Sequence, residues 1–432
     1  MNPELLTIHK HPRKKLKGKV LLPGSKSESN RALLFAALSP YPMLLEHLSD
    51  CDDSRVFLDF LRTCGLRMEP QDGGLNVVGS LREVKAEERT IELGLAGTAL
   101  RFITAAATLV PGTTLLDGKD RLRKRVVAPL VEALQDAGAD IAYLGEPGYL
   151  PLRIKGKPGW QPTAFRIDAT ESSQLLSALL LLGPVLPVGC TIHCTSLASK
   201  SYAQMTLDLL ADWGVHWQQQ DMQYTLAGRQ RNPPAHAIES DWSAASYWLG
   251  LAATKPADLR LRTLHPHSKQ GDRHQLEIFR GWGMDCRFEG SELHVRTDGI
   301  LVRGLDYDFG QMPDLAQTFA VLATWADETS ELTGLHTLPG KETDRLAALV
   351  AELGKLGVHA VATSDKLLVY PSLQMQVKQP VATYEDHRFA MSFALLANRF
   401  SHISIEDPQV VGKSYPAFWS HLEQLGYPIE WA

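Results

Sequence analysis

No uninterrupted apolar run in this chain is long enough to cross a bilayer. The most apolar segment, Leu175 to Val188, is broken by Gly183, Pro184 and Pro187 and is too short to span. The N-terminal residues carry no signal-type apolar core. The basic run His9 to Lys19 lacks the Ser-rich character of a transit peptide and reads as a solvated face. Cysteine is scarce: five residues, at 51, 64, 190, 194 and 286, are too scattered for a disulfide framework and point to a reducing compartment. Cys190 and Cys194 flank His193, but no second ligand pair stands at zinc-like spacing, so both are expected as buried strand cysteines and no metal is expected. Surplus positive charge is also missing. A net charge of −5 argues against a general nucleic-acid or anionic-membrane binder. What remains is a cytoplasmic globular chain whose 432 residues suffice for two or three domains.

What the chain does have is a repeat. Six times a polar cluster opens a run that is apolar nearly all round, the mark of a buried helix. The openings are Ser25-Lys-Ser, Gly97-Thr-Ala, Ser172-Ser-Gln, Ser243-Ala-Ala, Asp314-Leu-Ala and His387-Arg-Phe, separated by 72, 75, 71, 71 and 73 residues. A second signal keeps the same period. Amphipathic segments end at Gly65, Gly138, Gly214, Gly283, Gly357 and Gly426, which follow the openings by 40, 41, 42, 40, 43 and 39 residues. Each glycine suits the left-handed position that closes a helix. Short alternating stretches such as Thr191–Thr195, Glu292–Arg296 and Lys366–Tyr370 read as strands. The chain is therefore six α/β modules of about seventy residues, each too small for a comfortable core of its own. Two groups of three account for its length. Crossings between groups are expected at Pro23-Gly24 and in the polar stretch 229–236, ahead of Ile238 to Asp241.

The first opening, Pro23-Gly-Ser-Lys-Ser-Glu-Ser-Asn-Arg31, places hydroxyls and cations at the positive end of a helix dipole, where an anion is stabilised. An ordinary capped helix with solvated cations is the other reading. If the buried helices of each group lie side by side, their starts line a positive surface carrying Lys26, Ser27, Arg31, Gly97, Arg101, Ser172, Ser173, Gln174, Asp314 and Arg388. Gly94-Leu-Ala-Gly97 allows close approach of backbone N–H groups to a ligand, or simply a tight turn. Lys341 and Arg345 stand four apart, on one face if helical, and a salt-bridged exposed helix is the plainer reading of that stretch. Asp386-His387-Arg388 directly opens an apolar run, where charged groups more often face a ligand. Asp314 is a dipole partner or an acid/base carboxylate.

Eight stretches together resemble the enolpyruvyl transferases, and specifically the 5-enolpyruvylshikimate-3-phosphate (EPSP) synthase family. They are Leu22–Arg31, Leu93–Arg101, Ser172–Leu180, Ser199–Tyr202, Pro313–Thr318, Lys341–Leu346, Asp386–Met391 and Gly412–Pro416, in family order from about residue 18 to 420. The resemblance implies an α/β fold of two globular domains, each of three βαβαββ units (an inside-out α/β barrel), with an interdomain cleft. The expected domains are 1–23 plus 239–432, and 24–238. It also implies transfer of the enolpyruvyl group of phosphoenolpyruvate to the 5-hydroxyl of shikimate 3-phosphate, through a tetrahedral ketal and without metal or organic cofactor, by a cytoplasmic monomer. On matching positions Asp314 and Glu342 are the acid/base carboxylates, supported by Lys26 and Lys341. Phosphoenolpyruvate is assigned Lys26, Gly97, Arg125, Gln174, Arg345, Arg388 and Lys413. Shikimate 3-phosphate is assigned Lys26, Ser27, Arg31, Ser172, Ser173, Gln174, Ser199, Tyr202, Asp314 and Lys341.

The chain departs from the family pattern at Leu95, where Asn is usual, and at Thr337 and Pro339, where Asn and Arg are usual. These departures keep alive a transferase with a different acceptor. The sister enzyme acting on UDP-N-acetylglucosamine fits less well, because the first motif has Lys26-Ser27 rather than Lys-Asn and residues 112–124 hold no cysteine. A non-catalytic anion-binding homologue conflicts with the retained Asp314 and Glu342, and an RNA-end-processing protein with the acidic composition.

Overall fold

One strand–helix pattern recurs through the computed structural model, which describes residues 5–228, 233–372 and 374–432. The chain divides into two units, Gly24–Ile238 and Met1–Pro23 with Glu239–Ala432. The second crossing read from the sequence, 229–236, lies partly outside the described residues at 229–232.

Within Gly24–Ile238 the pattern is plainest over Glu87–Glu92, Gly97–Ala107, Gly112–Asp117, Ala128–Asp136, Asp140–Tyr143 and Leu152–Gly156, a strand–helix–strand–helix–strand–strand unit. The first two strands are parallel, the last strand pairs antiparallel with the second, and the third lies at the far edge. Ala164–Leu226 repeats this order. The remaining sheet of this unit takes its first strand, Ala235–Ala237, from the far end of the segment and sets it parallel to Met43–Glu46.

The other unit follows the same rule with its pieces redistributed. Leu16–Leu21 is the parallel partner of Ala257–Arg262, which pairs in turn with Glu292–Thr297. Asp306–Asp308 opens the next sheet beside Ser330–Thr333. The last sheet sets Leu5–His9 between His402–Glu406 and Ile429–Trp431, with Val381 bridging parallel to Ile405 where a first strand would run. Residues 5–21 therefore supply two strands to two different sheets.

The burial pattern explains the layering within each unit. Strands such as Glu87–Glu92 and Ala164–Ala169 alternate buried and exposed residues, so one face of each sheet meets water. The helices at the six openings have almost no such face: Gly97–Ala107 and Trp242–Ala253 are buried at every residue, as are Ala316–Leu322 and His387–Phe393. In Lys26–Ala37 burial begins at Glu28. Sheets outside and helices inside are the only arrangement that hides an all-apolar helix in so small a module. All six closing glycines have positive φ, from +75° at Gly65 to +101° at Gly426, so the expected helix ends are observed. The five cysteines are buried free thiols, and burial pushes the Cys190 thiol up to about 12. Among the described residues no helix is long and apolar enough to cross a membrane, and no group of three or more His, Cys, Asp or Glu side chains is arranged to hold a metal.

Candidate active site

Polar and charged side chains gather at the starts of the buried helices in both units. In Gly24–Ile238, Ser25 caps Lys26–Ala37 by accepting from the Glu28 N–H. Lys26 Nζ lies 3.1 Å from Asp53 Oδ2, at the start of the neighbouring helix Asp52–Thr63. Arg31 is buried and gives its donors to Thr206 Oγ1, Ser177 Oγ and the carbonyls of Ser27 and Tyr202. Its guanidinium also stands over the Phe102 ring, and burial lowers its pKa to about 10. One arginine thus ties the Ser27 and Tyr202 backbones together.

Gly97 begins the next buried helix and leaves room beside it for two guanidinium groups. A methyl group there would overlap the Arg125 Nη1 and crowd Arg101, whose Nη1 donates to the Gly97 carbonyl at 3.0 Å. Ser172 caps Ser173–Leu182 through the Gln174 N–H, and Gln174 Nε2 donates to Thr98 Oγ1 at 3.0 Å. That bond joins the starts of two buried helices. Ser199, in left-handed backbone conformation, precedes Lys200–Asp212 without capping it. Leu95 sits half-buried in the turn before Gly97.

In the other unit the charged groups form one connected cluster. Arg345 is its hub. Nε donates to Asp386 Oδ2 at 2.7 Å, Nη1 to Asp314 Oδ1 at 2.9 Å and Nη2 to Glu342 Oε2 at 3.0 Å. Arg388 Nη2 reaches Asp314 Oδ2 at 2.9 Å, Lys341 Nζ lies 3.6 Å from Asp314 Oδ1, and Lys413 Nζ lies 3.1 Å from Glu342 Oε1. Asp386 also caps His387–Phe393 by accepting from the Arg388 N–H. The cluster is deep: Arg345 is 1% exposed and Asp386 0%. Burial works against ionised Asp314, but Arg388, Lys341 and Arg345 outweigh it and hold that carboxyl well below the usual range. Burial likewise opposes the Arg345 charge, which Asp386, Glu342 and Asp314 restore and exceed.

Three sequence expectations need correction here. Lys341 and Arg345 do not share a helical face, because Asp344 caps the helix Arg345–Lys355 and residues 341–343 form bends before it. Nor is that helix start exposed, since Arg345 is consumed by three carboxylates. The opening placed at Ser243 begins one residue earlier, at Trp242, under an Asp241 cap that accepts from the Ala244 N–H. Asp386, Asp272, Ser243, Asp53 and Thr98 were not assigned to the site from sequence. Asp386 did carry a signal, in the charged triplet Asp386-His387-Arg388 that opens a buried run; Asp272 carries no local signal at all.

Helices buried within six outer sheets, with ionic side chains gathered at the helix starts, make the fold that of the enolpyruvyl transferases. The chain superposes on the enolpyruvyl transferase NikO from Streptomyces tendae with a TM-score of 0.75 at 15% identity, covering 100% of this chain and 99% of that one. EPSP synthase from Acinetobacter baumannii gives 0.79 at 24% identity, covering 99% and 100%. The sequence narrows the class to one family. A family model described as EPSP synthase (3-phosphoshikimate 1-carboxyvinyltransferase) matches residues 10–422. The 3-phosphoshikimate 1-carboxyvinyltransferase of Bacteroides fragilis strain YCH46 is 37% identical over 423 residues, covering 96% of this chain and 97% of that protein. The chain belongs to the EPSP synthase family.

Proposed function

We propose that this chain transfers the enolpyruvyl group of phosphoenolpyruvate to the 5-hydroxyl of shikimate 3-phosphate with release of phosphate, the reaction of its family. The observation that carries the reading is the Arg345 cluster. Addition followed by elimination requires a proton delivered to the methylene carbon and one removed from the attacking hydroxyl, beside cations that hold phosphate and carboxylate groups. Asp314 and Glu342 are the two carboxylates close to hand, each held by Arg345 and each touched by a lysine, Lys341 and Lys413 respectively. Asp314, which its cations hold ionised, is assigned the acceptor role, and Glu342 the donor role.

Lys26, Gly97, Arg125, Gln174, Arg345, Arg388 and Lys413 are assigned to phosphoenolpyruvate. Lys26, Ser27, Arg31, Ser172, Ser173, Gln174, Ser199, Tyr202, Asp314 and Lys341 are assigned to shikimate 3-phosphate. Arg31 acts chiefly by fixing the backbones of Ser27 and Tyr202. We take the working form to be a cytoplasmic monomer of 47.7 kDa, which sedimentation checks.

The decisive experiment mixes the purified chain with both substrates and measures inorganic phosphate. Release dependent on both is expected, and its absence overturns the reading. Glu342→Gln should retain both ligands while turnover falls at least about a hundredfold, within the range for a lost general acid or base. Equal loss of binding and turnover would mark Glu342 as a structural carboxylate instead.

A further inference from the structure

Behind the Arg345 cluster lies a carboxyl group that no assigned role uses. Asp272, in the turn Gly271–His274, is buried, and its Oδ2 accepts from Ser243 Oγ. Its Oδ1 has no hydrogen-bond partner among the described residues. Ser243 Oγ in turn accepts from Arg388 Nη2 at 3.4 Å, the same nitrogen that donates to Asp314 Oδ2. Asp272, Ser243, Arg388 and Asp314 therefore form one chain, with Ser243 the link that donates at one end and accepts at the other.

We propose that Asp272 is a positioning residue for the reaction: acting through Ser243, it sets where the Arg388 guanidinium rests and how strongly its charge is offset from behind when the phosphoenolpyruvate anion binds. The inference rests on the functional reading above, which gives Arg388 to that substrate. An ionised Asp272 sets a negative charge behind Ser243 that opposes an incoming anion and draws Arg388 toward Ser243; a neutral one does neither.

Which form prevails depends on pH within the ordinary range. Burial, the Asp314 charge and Asp241 push the Asp272 carboxyl up to about 7, against the Ser243 hydrogen bond and Arg388. These groups come from the three elements around it: the turn Pro313–Leu315, the start of Trp242–Ala253 and the start of His387–Phe393. The unpaired Oδ1 agrees with a neutral group, because an ionised carboxylate buried with one oxygen bare is costly.

The test is steady-state kinetics of the full chain and of Asp272→Asn at pH 6 and 8.5, with shikimate 3-phosphate saturating. Taking the ratio of KM values for phosphoenolpyruvate, variant over parent, cancels ionisation of the substrates. That ratio should fall about fivefold from pH 6 to 8.5, the effect of one partly screened charge, while kcat of the variant stays within about twofold of the parent. A ratio independent of pH overturns the proposal, even if the variant is less stable. Ser243→Ala is the second variant and keeps the proposal testable should Asp272→Asn not fold. It should raise the phosphoenolpyruvate KM about fivefold at pH 6, and an unchanged KM overturns the proposal. An inactive parent chain would refute the functional reading instead. The comparison is then made on the Tm shift given by phosphoenolpyruvate with shikimate 3-phosphate, which needs no turnover; equal pH dependence in parent and Asp272→Asn overturns the role of Asp272.

Discussion

Arg345 meets Asp386, Asp314 and Glu342 with three different nitrogens while almost wholly removed from water. A planar guanidinium with donors fixed in a fork can do this, whereas a lysine ammonium cannot. Taking away one carboxylate leaves buried charge uncompensated. Asp386→Ala also removes the cap of His387–Phe393, so it should cost about 3–5 kcal/mol in urea unfolding. Asp386→Asn, which can still cap, should cost visibly less; equal losses would show that the charge, not the cap, is what matters. Gly97 is the counterpart in Gly24–Ile238. Because its missing side chain makes room for the movable end of Arg125 rather than for backbone, Gly97→Ala should fold with stability changed by less than about 1 kcal/mol. The displaced Arg125 should raise the phosphoenolpyruvate KM about tenfold, while the shikimate 3-phosphate KM moves little.

At the scale of elements, the position of a helix start decides its chemistry. Lys26–Ala37 and Ser173–Leu182 leave only first-turn residues short of full burial, and Gly97–Ala107, Trp242–Ala253 and His387–Phe393 leave none, so the polar residues that open these helices sit at their only accessible ends. Unsatisfied N–H groups and the helix dipole add positive potential there without further lysines. This is how a chain with net charge −5 can hold anions. The same physics shows in Asp386 and Asp241, each of which caps a buried helix and belongs to, or borders, the ionic cluster.

For the whole molecule, the route of the chain matters as much as the repeat. Every sheet of Gly24–Ile238 closes on strands from that segment alone. That segment should therefore fold by itself, with one cooperative urea transition and native-like circular dichroism. The other unit cannot be cut from one continuous piece, since Leu5–His9 is the middle strand of its last sheet and Leu16–Leu21 the edge of another. A chain beginning at residue 12 should lose that middle strand, leaving His402–Glu406 and Ile429–Trp431 without a common partner. A Tm lowered by more than about 5 °C, or loss of a cooperative transition, is the expected result; an unchanged Tm would mean that the sheet contributes no stability.

The sequence by itself determined the six-fold repeat, the buried helices, the glycines that end their partners and the positions where charge collects. All of these are local patterns: helical burial is written in composition over a dozen residues, and a left-handed helix end in one glycine. Tertiary structure alone decided partnership. Nothing near Arg345 in the chain announces Asp314, 31 residues before it, or Asp386, 41 residues after it. Likewise, Asp272 in its short turn gives no sign that it will lie behind Arg388, and Leu5–His9 none that it will complete a sheet begun near residue 381. Such pairings follow from how modules pack, which brings distant residues together and sets the dielectric around them, and no stretch of sequence encodes that on its own.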